Sequence, residues 1–518
     1  MSAAVRPVLE TASGKLSGIT ESGVTRFLGA PYARAPVGPL RFRPPQPPEP
    51  WQELREALAF GGSAPQVEFA GRALPGTSVG PQSEDCLYLN VWTPAADVGA
   101  GPVPAKRPVL VWLHGGGFTS GSGSQGFYDP TALVRRSDVV VVTLNYRLGA
   151  LGFLHLGARG ALLLGATSNV GLLDQIEALA WVRDHAAALG GDPENVTIFG
   201  ESSGARSVAT LLGTPAARGL FQRAIAQSGG ASHGLDEASA CAITEEFLRE
   251  LELPESGLER LRELPVAALL EAQSRVVTRR IGTPGWLPFQ PVVDGVVLPE
   301  PPLAAIRAGL SRLVELIVGS NRDEWKLFAA MDPRLRALDE AGLVERVRAR
   351  VPDGDPARAK ALLAGYRGSG EPRVGTTPLE LFCALETDRV YRIPALRLAD
   401  AHRLGRGNVY AYQFTRPAEL LGGALGACHA AEVAYVFGNV AAPSGIAWCG
   451  SGPEVDRLCA SVMDAWTSFA RDGVPRARDL PDWRPYTTER RETLVLGTPC
   501  SMELDPGAVT RRLWDGIP

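Results

Sequence analysis

The chain is short of several things, and each scarcity excludes something. It has seven cysteines in 518 residues: Cys86, Cys241, Cys383, Cys428, Cys449, Cys459 and Cys500. The count is odd, the spacings are wide and no Cys-x-x-Cys pair occurs. Neither a disulfide framework nor a zinc or redox motif is indicated, and free thiols in a reducing compartment are expected. Lysine stands only at positions 15, 106, 326 and 360, so nearly all of the 52 basic residues are arginine. Beside 58 glycines and 42 prolines this reads as coding bias. Net charge is only −4 and the charges are scattered. With no basic stripe and no single-sign tail, nucleic acid and dedicated charged partners are not expected. No apolar run approaches the ~20 residues that a membrane helix requires. Residues 1–14 lack the apolar core and small-residue cleavage site of a signal peptide, so a cytoplasmic location is expected. Aromatic residues make up 7% of the chain, which argues against a densely aromatic gorge.

What is present alternates strand and helix signals. Short strands are predicted in residues 8–30, then a proline-rich ordered segment through residue 50 and a Gly/Ser/Pro loop over 60–83. Strands follow at 84–92, 109–113 and 139–145, then a Gly/Ala/Leu loop over 150–168 and a helix over 172–189. Further strands are expected at 196–199, 221–228, 313–318 and 409–414. Helical stretches are expected at 236–280 and within 335–425, and a long amphipathic helix at 454–471. Strands alternating with helices, without an internal repeat, predict an α/β fold: one mostly parallel sheet covered on both faces.

The chemistry centres on Val196-Thr197-Ile198-Phe199-Gly200-Glu201-Ser202-Ser203-Gly204-Ala205. A short β-branched and aromatic run ends in Gly-x-Ser-x-Gly, and a stretch free of Gly and Pro follows. Strand, tight turn and helix make this a nucleophile elbow with Ser202 at the apex. A Cβ at position 200 or 204 would collide with the neighbouring strand or helix. The helix N-terminus would turn its N–H groups and positive dipole end toward the site.

A serine hydroxyl needs a base, an acid to orient that base, and donors for the oxyanion. With this elbow the order along the chain is serine, acid, histidine. Histidine is scarce, six in all, and His233, His402 and His429 follow Ser202. His402 sits in a charged helical pattern and reads as solvated. His233 leaves little room for an acid before it. His429, in a Gly/Ala loop after a late strand, is the expected base. Asp323 and Glu324 stand directly after the 313–318 strand, where functional residues collect in parallel sheets. The chemistry alone does not choose between these two acids. His114-Gly115-Gly116-Gly117 follows the 109–113 strand and can aim successive N–H groups at one point.

Taken together these segments resemble the type-B carboxylesterases of the α/β-hydrolase superfamily, the cholinesterase-like family that includes bacterial para-nitrobenzyl esterases. The resemblance runs nearly end to end, from Phe27-Leu28-Gly29-Ala30-Pro31-Tyr32-Ala33 through Glu84 to Val91, Asn145-Tyr146-Arg147, Gly191-Asp192-Pro193 and Pro291-Val292-Val293-Asp294-Gly295 to Tyr435-Val436-Phe437-Gly438. It implies Glu324 as the acid, and an oxyanion hole of the Gly116, Gly117 and Ser203 N–H groups. It also implies Ser228 as a supporter of the acid, and structural ion pairs Arg41–Glu84 and Arg147–Asp174. The sequence departs from the family at Ser203, usually Ala, and at Trp325 and Ala430, often Gly. Cys86 has no cysteine upstream, so the N-terminal disulfide of secreted members cannot form. No Trp occurs between 52 and 83, where cholinesterases hold a quaternary ammonium, so a choline ester is not expected.

The expectation is thus a single α/β-hydrolase domain over residues 1–518 with helical cap or lid insertions at 236–280 and 335–425. It would hydrolyse small carboxylic esters through an acyl-enzyme, with Ser202, Glu324 and His429 as triad. A carbamate, amide or thioester is the alternative bond, and a non-catalytic binding protein on the same fold the remote one. Phe118, Trp286, Leu287, Phe289 and Phe328 are expected to line the substrate pocket. No cofactor or metal is expected, and the chain is expected to be a monomer or small homo-oligomer.

Overall fold

The computed structural model describes residues 6–67, 74–94, 106–232, 234–283 and 285–517. Residues 68–73 of the loop read at 60–83, residues 95–105 and His233 lie outside them. Fourteen strands occur among the described residues: β1 Val8–Thr11, β2 Gly14–Ser17, β3 Ile19–Glu21, β4 Val24–Pro31, β5 Arg55–Glu56, β6 Tyr88–Pro94, β7 Arg107–Leu113, β8 Val140–Leu144, β9 Gly191–Glu201, β10 Arg223–Gln227, β11 Glu315–Asn321, β12 Val409–Phe414, β13 Glu492–Leu496 and β14 Ser501–Leu504. β1, β2 and β5 form a small separate sheet, and the other eleven form one sheet in the order β14-β13-β12-β11-β10-β9-β7-β8-β6-β4-β3. From β8 to β13 every neighbouring pair is parallel. The antiparallel pairings are confined to the two flanks.

Central strands buried on both faces need apolar side chains on both. Val109, Val111, Leu113, Val196, Ile198, Ala224, Ala226, Leu316 and Val318 pack into one core. Their alternates Leu110, Trp112, Phe199, Ile225, Ile317, Tyr410 and Tyr412 pack into a second core on the other face. This period of two explains the near-continuous apolar runs. A full Leu or Phe side chain buried here contributes about 1.5–3 kcal/mol. A third core, around Trp325, Leu343, Val347, Leu362, Tyr366, Phe382, Leu385, Tyr391 and Trp514, joins the helices between residues 325 and 404 to the C-terminus.

Two expectations fail here. The stretch 150–168, read as a loop, contains helices Gly149–Phe153 and Gly157–Leu164. Its glycines mark close approach as well as chain breaks: a Cβ on Gly152 would lie 2.1 Å from Arg147 O. The Ala/Leu content between them favours helix. His402, read as solvated, is buried, with Nε2 2.8 Å from Val314 O and Nδ1 3.3 Å from Ser311 Oγ. Its charged neighbour Asp400 instead pairs with Arg491 at 3.0 Å. Among the described residues no helix is long and apolar enough to cross a membrane.

Candidate active site

β9 delivers Ser202 to the C-terminal edge of the sheet, and the helix Ser203–Leu212 begins at once. Ser202 has φ 60 and ψ −122, a conformation that L-residues avoid. Such strain costs about 1–3 kcal/mol and persists only where its surroundings enforce it. They do so here: Ser202 N–H donates to Gln227 O (2.9 Å), and Arg206 N–H donates to Ser202 O (3.0 Å). A Cβ on Gly204 would lie 2.0 Å from Leu113 O, and one on Gly200 would lie 2.6 Å from the Gly204 carbonyl carbon. Only glycine lets strand, turn and helix approach this closely.

The glycine run after β7 folds against the elbow. A Cβ on Gly115 would lie 2.9 Å from Glu201 O and 3.1 Å from Ser202 Cβ. Gly116 and Gly117 have φ +114 and +64. Thr119 and Ser120 N–H groups both donate to Gly116 O (3.2 and 3.0 Å), closing the turn. His114 is part of this scaffold: its ring stacks on Tyr146 at 4.4 Å, and burial pushes its pKa down to about 4. Among the described residues, the Gly116, Gly117 and Ser203 N–H groups donate to no protein acceptor. Three unengaged donors beside Ser202 can receive an oxyanion. The Ser203 hydroxyl is sealed from solvent near the Tyr146 phenol, without a well-formed hydrogen bond.

Glu324 and Asp323 follow β11, and the structure separates them. Glu324 Oε2 lies 2.6 Å from His429 Nδ1, while its Oε1 accepts from Asn321 N–H (2.7 Å). The His429 N–H also donates to Glu324 O (3.3 Å). Asp323 instead accepts from Ala427 N–H (3.0 Å) and pairs with Arg322 (3.0 Å) and Lys326 (2.9 Å). Ser228 does not reach the acid: its hydroxyl is buried without a hydrogen-bond partner, correcting the expected support of Glu324. Both ion pairs implied by the resemblance are made, Arg41–Glu84 at 2.7 Å and Arg147–Asp174 at 2.6 Å.

Two carboxyls escaped the sequence reading. Glu201 Oε1 lies 3.1 Å from His429 Nε2. Among the described residues His429 makes no hydrogen bond to Ser202, so the imidazole leans toward Glu201. Glu432 accepts from Asn321 Nδ2 (2.6 Å) and Gln227 Nε2 (3.2 Å), and Gln227 in turn accepts from Trp466 Nε1 (3.1 Å). Burial pushes Glu201 up to about 8, and Glu432 upward for the same reason, with Glu324 adding to both shifts. Burial alone would lower His429, but Glu201 and then Glu324 outweigh it and raise the imidazole to about 9. Glu201 stood inside the elbow motif. Only the ring orientation reveals its contact, and sequence carries no signal of that.

Of the expected pocket residues, Phe328 packs on His429 at 5.1 Å and Trp286 on Phe328 at 5.8 Å. Leu287 stands beside Gly117, whose Cβ would lie 3.2 Å from its Cδ2. Phe289 and Phe118 belong to the core instead, against Phe247 (5.9 Å) and Phe153 (5.0 Å). Tyr391, not foreseen, faces His429 at 4.7 Å from the π-helical turn Asp388–Arg392.

The carboxylesterase family model matches residues 5–514. The chain belongs to the carboxylesterase family. It is 37% identical to the para-nitrobenzyl esterase of Bacillus subtilis (strain 168) over 512 residues, 98% of each chain. It is equally 37% identical to the phenmedipham hydrolase of Pseudarthrobacter oxydans, over 95% of each chain. Among solved structures it resembles the Geobacillus stearothermophilus carboxylesterase EST55 at pH 6.2, with a TM-score of 0.86 and 39% identity. That match covers 98% of this chain and 100% of the other. A PNB esterase structure matches with a TM-score of 0.84 and 36% identity, over 98% of this chain and 100% of that one. This carboxylesterase thus has the α/β-hydrolase fold and is a carboxylic ester hydrolase.

Proposed function

We propose that Ser202 is the nucleophile, His429 the general base and acid, and Glu324 the residue that orients His429. The observation that carries this reading is the 2.6 Å contact of Glu324 with His429 Nδ1, beside the strained serine. It fixes the proton on Nδ1 and leaves Nε2 as the basic atom. With two acids crowding the ring, the proton between Glu201 and His429 is shared. The reactive form is the one that has lost this proton, so that His429 is neutral. Neutral His429 then turns Nε2 to Ser202 Oγ and takes its proton as Oγ attacks the acyl carbon. The Gly116, Gly117 and Ser203 N–H groups bind the oxyanion, each preorganised donor contributing about 3–4 kcal/mol in the transition state. His429 returns the proton to the leaving alcohol, and water activated by the same ring clears the acyl-enzyme.

Small esters are the substrates, with Trp286, Leu287 and Phe328 as walls of the pocket and the helices within 236–280 and 335–425 as its cap. Seven free thiols support a reducing cytoplasmic setting. The test is turnover of p-nitrophenyl butyrate together with labelling by a fluorophosphonate. Ser202→Ala should lose both, and retention of wild-type turnover would refute the assignment. A parallel carbamate and anilide series sets the bond preference.

A further inference from the structure

Five arginines are buried among the described residues: Arg41, Arg147, Arg206, Arg350 and Arg392. Four have a carboxylate partner, Glu84, Asp174, Glu386 and Asp388 respectively, at 2.6–2.8 Å. Arg206 has none. It is 5% exposed, its guanidinium makes no hydrogen bond or ion pair with any described residue, and its Nε is sealed from solvent without a partner. A buried cation left alone costs several kcal/mol, so an unpaired one is kept where something else supplies the countercharge.

Its position says where that countercharge arrives. Arg206 lies one helical turn beyond Ser202, with its N–H on Ser202 O. A Cβ on Gly229 would lie 2.8 Å from Ser202 O and 3.1 Å from Arg206 N, and one on Gly230 would lie 2.4 Å from Pro394 O. These two glycines let the first turn of the elbow helix approach the segment that carries Tyr391. Tyr391 faces His429, and Arg206 is the largest charge influence on its phenol. The nearby Arg389 is already neutralised by Glu386 at 2.7 Å. Burial pushes Arg206 down to about 10, which leaves it cationic at neutral pH.

We propose that Arg206 is a specificity-determining residue that binds a carboxylate on the acyl portion of the substrate, so that half-esters of dicarboxylic acids are preferred. The proposal rests on Ser202 being the nucleophile. After the alcohol leaves by way of His429 Nε2, the acyl group remains on Ser202 Oγ, at the start of the helix that bears Arg206. A planar guanidinium fork matches a carboxylate in a two-point contact, and exclusion of water strengthens it.

The test compares kcat/KM for mono-p-nitrophenyl glutarate with that for its methyl-capped diester, equal in shape and neutral. Rates are normalised to sites titrated by a fluorophosphonate. Wild-type protein should favour the anionic ester, and Arg206→Met should lower the anionic-to-neutral ratio by about 10- to 100-fold, the range for a charge-assisted hydrogen bond. Arg206→Lys should retain part of the preference and guards against misfolding of the methionine variant. A wild-type ratio at or below one, or a ratio unchanged in Arg206→Met, would overturn the proposal. So would a substitution effect confined to 4-carboxyphenyl butyrate, whose carboxylate is on the alcohol side. Absence of turnover on neutral esters by wild-type protein would refute the nucleophile assignment instead.

Discussion

His429 presents Nε2 to Glu201 Oε1 at 3.1 Å, on the ring nitrogen that the proposed mechanism needs free. Glu201 is the largest source of the upward shift of His429 to about 9. The base must be neutral to accept the serine proton, so activity rises as pH passes upward through its pKa. A raised pKa places that rise on the alkaline side of neutrality. Glu201→Gln removes the main upward influence and should move the acidic limb of kcat/KM to lower pH by about one unit, as loss of one close charge does. A pH profile with p-nitrophenyl butyrate checks this; a limb that stays in place or moves upward would exclude Glu201 as the cause.

Gly116→Ala should remove one oxyanion donor by distorting its turn. The added Cβ would lie 2.1 Å from Ser120 O, at φ +114. Turnover should fall by about 10²- to 10³-fold. Steady-state kinetics beside a thermal melt separates this from global unfolding, since the turn lies at the surface of the site.

Ser203→Ala should leave an active enzyme. The N–H donor is unchanged, and the hydroxyl lost is buried near Tyr146 without a well-formed hydrogen bond. Removing an unsatisfied buried polar group recovers up to about 1–3 kcal/mol, so the melting temperature should hold or rise. A fall in both activity and melting temperature would mean that the hydroxyl has a bonded role.

Asp388 anchors the π-helical turn: it accepts from Tyr366 Oη (2.6 Å), Arg373 Nη2 (2.7 Å) and Arg392 Nε (2.7 Å). Burial alone would raise its pKa, but Arg373 and Arg392 outweigh it and hold it well below the usual carboxylate range. The folded pKa is therefore depressed. The stability it contributes is complete above the unfolded value near 4 and is lost as pH falls below that. Asp388→Asn should cost about 3–5 kcal/mol in urea unfolding at pH 7, because it leaves buried Arg392 without its carboxylate and Arg373 with Glu371 alone. The difference from wild type should shrink as the pH of the measurement is lowered.

The parts legible in sequence were those whose cause is local. Gly200 and Gly204 bracket Ser202 because backbone must touch backbone there, and that requirement is written in the residues themselves. The central strands declare themselves through apolar alternation on two faces. Tyr391, Glu201 and Arg206 were not legible, because their importance comes from what lies opposite them across long sequence separations. The misread positions share that cause. His402 looks polar in sequence, yet its helix presses it onto Val314; Phe289 looks like a wall, yet Phe247 covers it.

The free thiols bear on how the protein can be instrumented. Five of the seven are buried, and Cys500 is partly covered with its thiol on Gly497 O at 3.3 Å. Cys241 is exposed, on the helix Glu237–Glu250. Some burial and the neighbouring Glu237 and Glu245 hold its pKa up, so maleimide coupling there will be slow at neutral pH and faster in mild alkali. A single dye can therefore be seated on this helix without removing any native cysteine, giving an optical reporter of motion in this helix.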